Sequence, residues 1–476
     1  MILSRDARHY WWAAALLVAA GAMSAFVPWF TVCVIVFLGA FLLVTWRPLE
    51  GFLLLIILQP FLDRVIEIPM GRGMPDLSFG RLTLAFLVIS IFGRDALDRT
   101  KRMSFGVMEA CVLAVPVGIA LAAPLSTTPW SVVQVSVDFF LAPLLMYFIA
   151  KNTVESSADL TRLFQAVMIF GLLATAYMVF ELSTGMILFL EEGIDPESLS
   201  RVYSRTFGSF WLVRGLLSNS ASFGRVLVTT IPVTMYLYFR QADRTRRWLI
   251  LAAVLFQCFG LFLSLNRSCW VAFVFGLAIM QFAFPRLRIW ALTVVALGLV
   301  ALIPYWREAV GSRLVQQRLL YNIGTLNNRL PGWQAGFEMW KAEPWRGWGF
   351  GQFQLRSGRF RRDGGTGNLR GTDNDFLLIL VGAGLIGFLP YLVSLLAPFL
   401  GTLKLLPQTR APGWQGFVGF REFSVYWAVL ACLVLTSMTV IQTQPVVRGL
   451  VYAIAGAVVG THERWLPTRL TGARKP

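Results

Sequence analysis

Four arginines at the edges of long apolar segments carry the clearest chemistry in the sequence: Arg214, Arg225, Arg267 and Arg329. A guanidinium group keeps its charge at physiological pH and binds phosphate through two parallel hydrogen bonds. Arg267 lies in a very short turn between two apolar segments, where a charge is costly and usually faces a cavity or a partner. Asn219 or Ser218 can cap the helix that carries Arg225, and a helix N-terminus attracts anions. These positions predict a site for an anionic substrate; a snorkelling arginine at 267 and plain capping before 225 are the alternatives.

Two carboxylates open a later apolar segment, in Asp373-Asn374-Asp375. Acids in the first turn of a helix are favoured by its dipole, so capping alone is one interpretation. The other makes Asp373 a carboxylate that faces the arginines and accepts a proton. The triplet also has the spacing of a short metal-binding motif. A metal-dependent enzyme that uses Asp373 and Asp375, or Asp63 and Asp76, is therefore an alternative, although we predict neither a metal nor a cofactor.

Membrane-spanning helices must position these residues, because 57% of the 476 residues are apolar and only 14% are charged. Soluble domains have about 45–50% apolar and about 25% charged residues. Apolar runs long enough to span a bilayer number about fourteen, or twelve without the shortest. They fall at 10–29, 30–46, 50–66, 80–94, 105–123, 131–150, 162–183, 221–239, 247–265, 268–285, 289–304, 375–400, 422–441 and 446–461. We predict an all-α polytopic membrane protein with about 12–14 transmembrane helices, in which residues 1–476 form one membrane domain.

Basic residues in alternate short connections predict the orientation, because positive charge favours the cytoplasmic side. Clusters at 94–102, 151–162, 240–247 and 286–288 place both termini in the cytoplasm. The longest extracytoplasmic connection is then 305–374, where eleven basic residues stand against five acidic ones. Arginine-rich composition is one explanation. A basic cavity at the outer leaflet for an anionic, membrane-anchored substrate is the functional one. Nucleic acid is the poor alternative, and we predict no nucleic-acid partner, because this charge faces away from the cytoplasm.

One part of the long connection has the pattern of an interfacial helix. Trp333, Phe337 and Trp340 recur at the spacing of one helical face. Pro331 suits the first turn of this helix, and Pro344 lies just past its end. We expect the helix to lie on the outer membrane surface and to hold Arg329 above it.

The order of these motifs resembles the O-antigen ligase and polysaccharide polymerase (Wzy-type) superfamily. The resemblance rests on Arg329, the stretch from Trp333 to Phe353, Asn374 and the glycines from 382 to 387, and it is clearest over 265–390. It implies a bacterial inner-membrane glycosyltransferase of GT-C architecture, whose active site faces the periplasm.

The resemblance also implies the substrates, partners and site residues. The substrates are a polyprenyl-diphosphate-linked glycan donor and a glycan acceptor, in contact with membrane lipids, and a polymerase implies a chain-length regulator and a repeat-unit flippase as partners. Arg214, Arg267 and Arg329 would hold the diphosphate, with Arg225 and Asn374 beside the substrate.

Asp373 stands where ligases of the superfamily usually have histidine, which favours a polymerase of exopolysaccharide, capsule or O-antigen units over a ligase. A proton-coupled transporter or flippase is the alternative of another class, because Glu109, Asp138 and Glu181 fall in or beside predicted spans.

Overall fold

The computed structural model describes residues 28–65, 67–68, 77–97, 107–121, 136–184, 201–204, 208–211, 220–264, 266–288, 324–362, 368–369, 371–409, 418–439 and 445–460. Helices dominate these ranges, and the fold is that of an all-α polytopic membrane protein, as predicted. The predicted spans at 289–304 and most of 10–29 lie outside the described residues.

The helices follow one another as α1 Pro28–Trp46, α2 Pro48–Val65, α3 Phe79–Leu97, α4 Val107–Leu121, α5 Ala142–Thr153, α6 Ser157–Thr184, α7 Ser220–Arg240, α8 Arg244–Leu263, α9 Arg267–Met280, α10 Gly324–Ala342, α11 Gln352–Arg356, α12 Asp375–Thr409, α13 Phe420–Ser437 and α14 Val446–Ala455. A π-helix precedes α5 at Ser136–Leu141, a 3₁₀ turn follows α11 at Ser357–Phe360, and a π-helix continues α14 at Gly456–Gly460. Within the described ranges, α6, α8, α13 and the Asp375–Pro407 part of α12 are long and apolar enough to cross a membrane. Four shorter apolar helices lie in α3, α4, α9 and α14 with its π-helical continuation.

The described chain forms two compact units. The first contains α1 to α3 and a short antiparallel hairpin of β1 (Glu67–Ile68) and β2 (Leu77–Ser78). Its Asp63 carboxylate accepts a hydrogen bond of 2.6 Å from the backbone N–H of Gly80, close to the start of α3. Asp63 therefore serves the backbone at this helix start, and Asp76 lies outside the described residues.

The second unit contains the remaining elements, including a hairpin of β3 (Arg201–Ser204) and β4 (Gly208–Trp211). In it α7 packs against α6, α8 and α13, while α9 packs against α13 and α7. The long helix α12 packs against α4 and α10, and α14 packs against α5. Apart from the two short hairpins, the ordered elements of the described residues are helices.

The helix of the long connection, α10, begins earlier than the sequence predicts. It starts at Gly324, so Pro331 lies inside the helix and not in its first turn. A proline inside a helix removes one backbone hydrogen bond, at a cost of about 3 kcal/mol. The following turn of α10 packs closely on the segment before α12, since a Cβ at Gly332 would lie 3.0 Å from the Gly371 carbonyl oxygen.

A break in α12 binds the loop that follows α10. Gly384 has φ 59° and ψ −161°, which interrupts the helix. The backbone N–H of Trp348 donates to the carbonyl of Val381 at 2.7 Å, and that of Gly349 donates to the carbonyl of Gly382 at 2.9 Å. Non-helical backbone in a membrane protein is tolerated where protein covers it. The alternating glycines of this loop thus allow main chain to pack on main chain, and these two N–H groups are already used and do not form a phosphate cradle.

Replacing Gly384 with alanine is expected to disrupt the fold. The new Cβ would lie 2.2 Å from the carbonyl oxygen of Trp345, and the φ/ψ pair of Gly384 lies in a region essentially restricted to glycine, which adds a further cost of about 1–3 kcal/mol. Gly351→Ala is the matched control, because it has φ +84° but no described atom within 4 Å of the added carbon. Size-exclusion profiles and melting temperatures in detergent should show loss of monodisperse protein for Gly384→Ala and a small change for Gly351→Ala. Equal behaviour of the two variants would contradict this account of the break.

Candidate functional site

Two buried arginines converge on a single carboxylate, and we call Arg225, Asp375 and Arg448 the Asp375 cluster. Arg225 Nη1 and Arg448 Nη2 each lie 3.5 Å from Asp375 Oδ2. Arg225 Nη2 also donates to the carbonyl of Thr436 at 2.7 Å. All three charged side chains are at most 3% exposed. Arg225, which the sequence predicts to bind substrate, is therefore bound by Asp375 and by the carbonyl of Thr436.

The cluster ties together the ends of four helices. Arg225 lies in the second turn of α7, Asp375 is the first residue of α12, and Arg448 is the third residue of α14. Thr436 lies next to the last residue of α13. Since α7, α12 and α14 begin here and α13 ends here, the cluster marks one end of the bundle.

Aromatic rings complete the surroundings of Arg448. Its guanidinium carbon lies 5.0 Å from the centre of the Phe140 ring and 5.3 Å from that of Tyr391. Cation–π contacts of this kind are worth about 2 kcal/mol or more when desolvated. They help to offset the cost of burying a second positive charge beside one carboxylate.

The segment before α12 contains one exposed polar side chain, Asp373, between the buried Thr372 and the half-buried Asn374. The side-chain oxygen of Asn374 accepts from the backbone N–H of Leu377 at 3.0 Å, so Asn374 is the N-cap of the helix. Asp373 has φ 47°, an uncommon left-handed conformation for a residue other than glycine. Its carboxylate is 52% exposed and lies 3.8 Å from Nε of Arg329. The structure thus brings together two of the predicted site residues, Asp373 and Arg329.

A groove of about 590 Å³ lies between α10 and the first turns of α12, beside this segment. One wall carries the aromatic side chains Trp333 and Phe337 of α10, and the other carries Asn374 and Phe376. Two residues of the predicted aromatic face, Trp333 and Phe337, therefore line a groove, whereas Trp340 packs against the apolar cluster that contains Met339.

Charged groups at the groove are arranged around Glu338. Its carboxylate accepts from Arg362 at 2.7 Å and from Lys341 at 3.2 Å, and all three side chains line the groove. The indole N–H of Trp333 has no hydrogen-bond partner among the described residues. This N–H is itself buried, so the groove offers a ligand aromatic faces and charged groups.

Arg267 lies at the same end of the bundle as the Asp375 cluster. It is the first residue of α9, whose N-cap Asn266 accepts from the backbone N–H groups of Ser268 and Cys269. The Cys269 thiol contacts the carbonyl of Ala221 in the first turn of α7 at 3.7 Å. The start of α9 therefore adjoins the start of α7, and Arg267 is half-buried there. Arg214 lies outside the described residues.

Sequence reasoning missed Arg448 and the partners of Asp375. A signal for Arg448 existed, because an arginine inside the apolar run 446–461 is costly unless it meets a partner. Among the described residues no group of three histidine, cysteine or acidic side chains has a metal-binding arrangement. Asp373 and Asp375, which the metal-dependent alternative pairs, face different arginines.

These features define a polytopic helical membrane protein with a charged, arginine-rich site at one end of its bundle. Residues 250–392 match a family model described as O-antigen ligase. The match supports the O-antigen ligase and polymerase superfamily, without separating the polymerase branch. It includes Arg267, α10, the groove and the start of α12, whereas Arg225 and Arg448 lie outside it. No curated protein matches the sequence.

Removing the charge of Asp375 is expected to destabilise the protein strongly. Asp375→Asn leaves two buried arginines without their carboxylate, and breaking a buried ion pair costs about 3–5 kcal/mol. Asp373→Asn is the matched control two residues away, because an exposed pair is worth about 0–1 kcal/mol. Thermal unfolding in detergent should therefore show a large fall in melting temperature for Asp375→Asn alone. A similar melting temperature for both variants would contradict the structural role of the cluster.

Proposed function

We propose that the protein is a membrane glycosyltransferase that polymerises polyprenyl-diphosphate-linked oligosaccharide units at the periplasmic face of the bacterial inner membrane. The observation that carries the proposal is the position of the family match. It falls on the segment that supplies Arg267, the Arg329–Asp373 pair and both walls of the groove. The units are those of an exopolysaccharide, a capsule or an O-antigen, and both termini are cytoplasmic.

In the proposed reaction, a hydroxyl oxygen of the acceptor glycan attacks the anomeric carbon of the donor. The bond from that carbon to the diphosphate oxygen breaks, and the lipid diphosphate leaves with the bonding electrons. The donor carries its own activation in this bond, so the reaction needs neither ATP nor a metal cofactor. Arg267 and Arg214 hold the diphosphate, where fixed positive charge stabilises the charge that develops on the leaving oxygen.

Asp373 is proposed to orient the acceptor hydroxyl or to take its proton. Its exposure and its long contact with Arg329 support this role, because a weakly held carboxylate remains accessible to a substrate. Asn374, the cap of α12, follows Asp373 directly and is part of the groove wall. An acceptor glycan in the groove would thus have its end close to the start of α12.

Arg225 and Arg448 are proposed to act as positioning residues. They bind Asp375, which directly follows the cap Asn374, and so fix the start of α12. The groove suits a glycan by size and lining, since ligand sites occupy about 300–1,000 Å³ and combine apolar walls with a few polar groups. GT-C architecture is part of this proposal.

A ligase is the second candidate, because the matching family model is described as O-antigen ligase. We favour the polymerase because Asp373 occupies the place where ligases of the superfamily usually have histidine. The transporter alternative has less support, since one of its intramembrane acids is held in a buried ion pair. Glu109 lies 2.5 Å from Nζ of Lys151 and 3.3 Å from the hydroxyl of Tyr147.

Purified protein supplied with a lipid-linked repeat unit should produce a ladder of longer lipid-linked glycans in the presence of EDTA. A polymerase repeats the transfer, whereas a ligase yields a single transferred band on a separate acceptor. Gel electrophoresis of radiolabelled product distinguishes the two. A strict requirement for added Mg²⁺ or Mn²⁺ would favour the metal-dependent alternative, and failure with every lipid-linked donor would contradict the proposed function.

Arg267→Ala should reduce the rate of product formation by about 10²–10³-fold, as expected when a fixed donor to a developing oxyanion is lost. Arg214→Ala is also expected to reduce the rate of product formation. Arg286→Ala is the control, because this exposed arginine lies beyond the opposite end of α9. Full activity of both Arg267→Ala and Arg214→Ala at normal expression levels would refute the diphosphate assignment.

Asp373→Asn should lower the turnover rate more than it lowers the affinity for the donor.

A further inference from the structure

A second groove lies at the other end of the bundle. It has a volume of about 370 Å³ and is formed by α6, α7 and α8. Arg240 of its rim follows Arg225 of the Asp375 cluster by fifteen positions in α7. At 1.5 Å per residue the two arginines are about 22 Å apart along the helix. The groove is therefore separate from the proposed catalytic site.

Two arginines form the rim of this second groove. Arg240 is the last residue of α7, and Arg246 lies in the first turn of α8, with Thr161 and Gln241 beside them. The described lining includes no carboxylate. Two guanidinium groups and neutral polar side chains suit a phosphate group, which accepts hydrogen bonds and carries negative charge.

The two arginines are held to different degrees. Arg240 donates to the hydroxyl of Tyr236 at 2.8 Å and to the hydroxyl of Ser157. Arg246 is 75% exposed and lies 3.6 Å from Asp243, an exposed pair that contributes little. Arg240 is thus fixed in advance, while Arg246 can turn towards a ligand at low cost. The nearby carboxylate of Glu422 is bound by Tyr236 at 2.5 Å and is not part of the lining.

The deeper part of the second groove is apolar. Leu237 of α7 and Leu249 and Ile250 of α8 lie about one turn further from the helix ends than the arginines, and Met168 of α6 lies about two turns beyond Thr161. Leu249 is 67% exposed, so this part opens to the outside of the protein. A ligand that fits has a charged end at the rim and a hydrocarbon chain along the helices.

An exposed tryptophan indicates that the rim of this groove lies at the boundary between membrane and water. Trp248 is 61% exposed on α8, between Arg246 and Leu249 in sequence. Tryptophan is enriched where transmembrane helices pass from hydrocarbon to headgroups. Basic pockets between transmembrane helices bind anionic headgroups. A soluble phosphate compound would leave the apolar half of the groove unused.

We propose that the groove between α6, α7 and α8 is a binding site for an anionic phospholipid, whose phosphate contacts Arg240 and Arg246. The acyl chain lies along Leu237 and Leu249. This proposal does not depend on the proposed transferase activity, because binding is measured without turnover.

Native mass spectrometry of the full chain, titrated with phosphatidylglycerol, tests the proposal. Arg246→Gln should weaken the affinity of the first bound lipid about fivefold, the factor expected for one basic residue near an anionic lipid. Arg244→Gln is the matched control, since it removes the same charge two residues away at an exposed position outside the lining. Because Arg246 is exposed, its replacement should leave folding intact, and an unchanged melting temperature of the variant would verify this.

Three outcomes would overturn the proposal. Equal weakening by Arg246→Gln and Arg244→Gln would assign binding to general surface charge. Equal affinity for zwitterionic phosphatidylcholine would remove the requirement for an anionic lipid. Glycerol phosphate that binds as tightly as the lipid, and with the same dependence on Arg246, would identify a site for a free anion.

Discussion

A single buried carboxylate, Asp375, holds one end of the bundle together. Two arginines 223 positions apart in the chain meet its Oδ2 atom, and one of them also binds the last turn of α13. Neither arginine would be stable in this environment without the carboxylate, because an unpaired buried charge is costly. The same carboxylate fixes the first turn of α12, so the position of Asn374 and Asp373 depends on an interaction that never contacts solvent.

The charged residues at this end of the bundle form two groups, one buried and one accessible to solvent. The buried group is the Asp375 cluster, which sets geometry. The accessible group contains Asp373, Arg329 and the half-buried Arg267 at the start of α9. An enzyme that stabilises a leaving diphosphate benefits from this division, because charges held in advance need no reorganisation during the reaction. The break in α12 at Gly384 has a related effect, since it binds the loop after α10 to the helix that carries the site.

Local patterns in the sequence predicted the helices, the short turn at Arg267 and the aromatic face of α10. Each of these depends on residues a few positions apart, such as the Asn266 cap or the spacing of Trp333 and Phe337. The Asp375 cluster could not be predicted in this way, because its members are far apart in the chain. Arg225 and Asp375 are separated by 150 positions, and no local pattern links them. The sequence therefore assigned Asp375 to capping or to a metal. Pro331 was placed in a first turn because proline is favoured there, whereas in the structure α10 begins at Gly324 and the turn at Gly332 packs on Gly371.

The most direct test is an electron cryomicroscopy structure of the protein in nanodiscs with a bound polyprenyl-diphosphate-linked oligosaccharide. We predict that the diphosphate lies within hydrogen-bonding distance of Arg267, with the glycan directed towards Asp373 and the groove between α10 and α12. Density for the diphosphate at any other part of the protein, with Arg267 directed into lipid, would contradict the account.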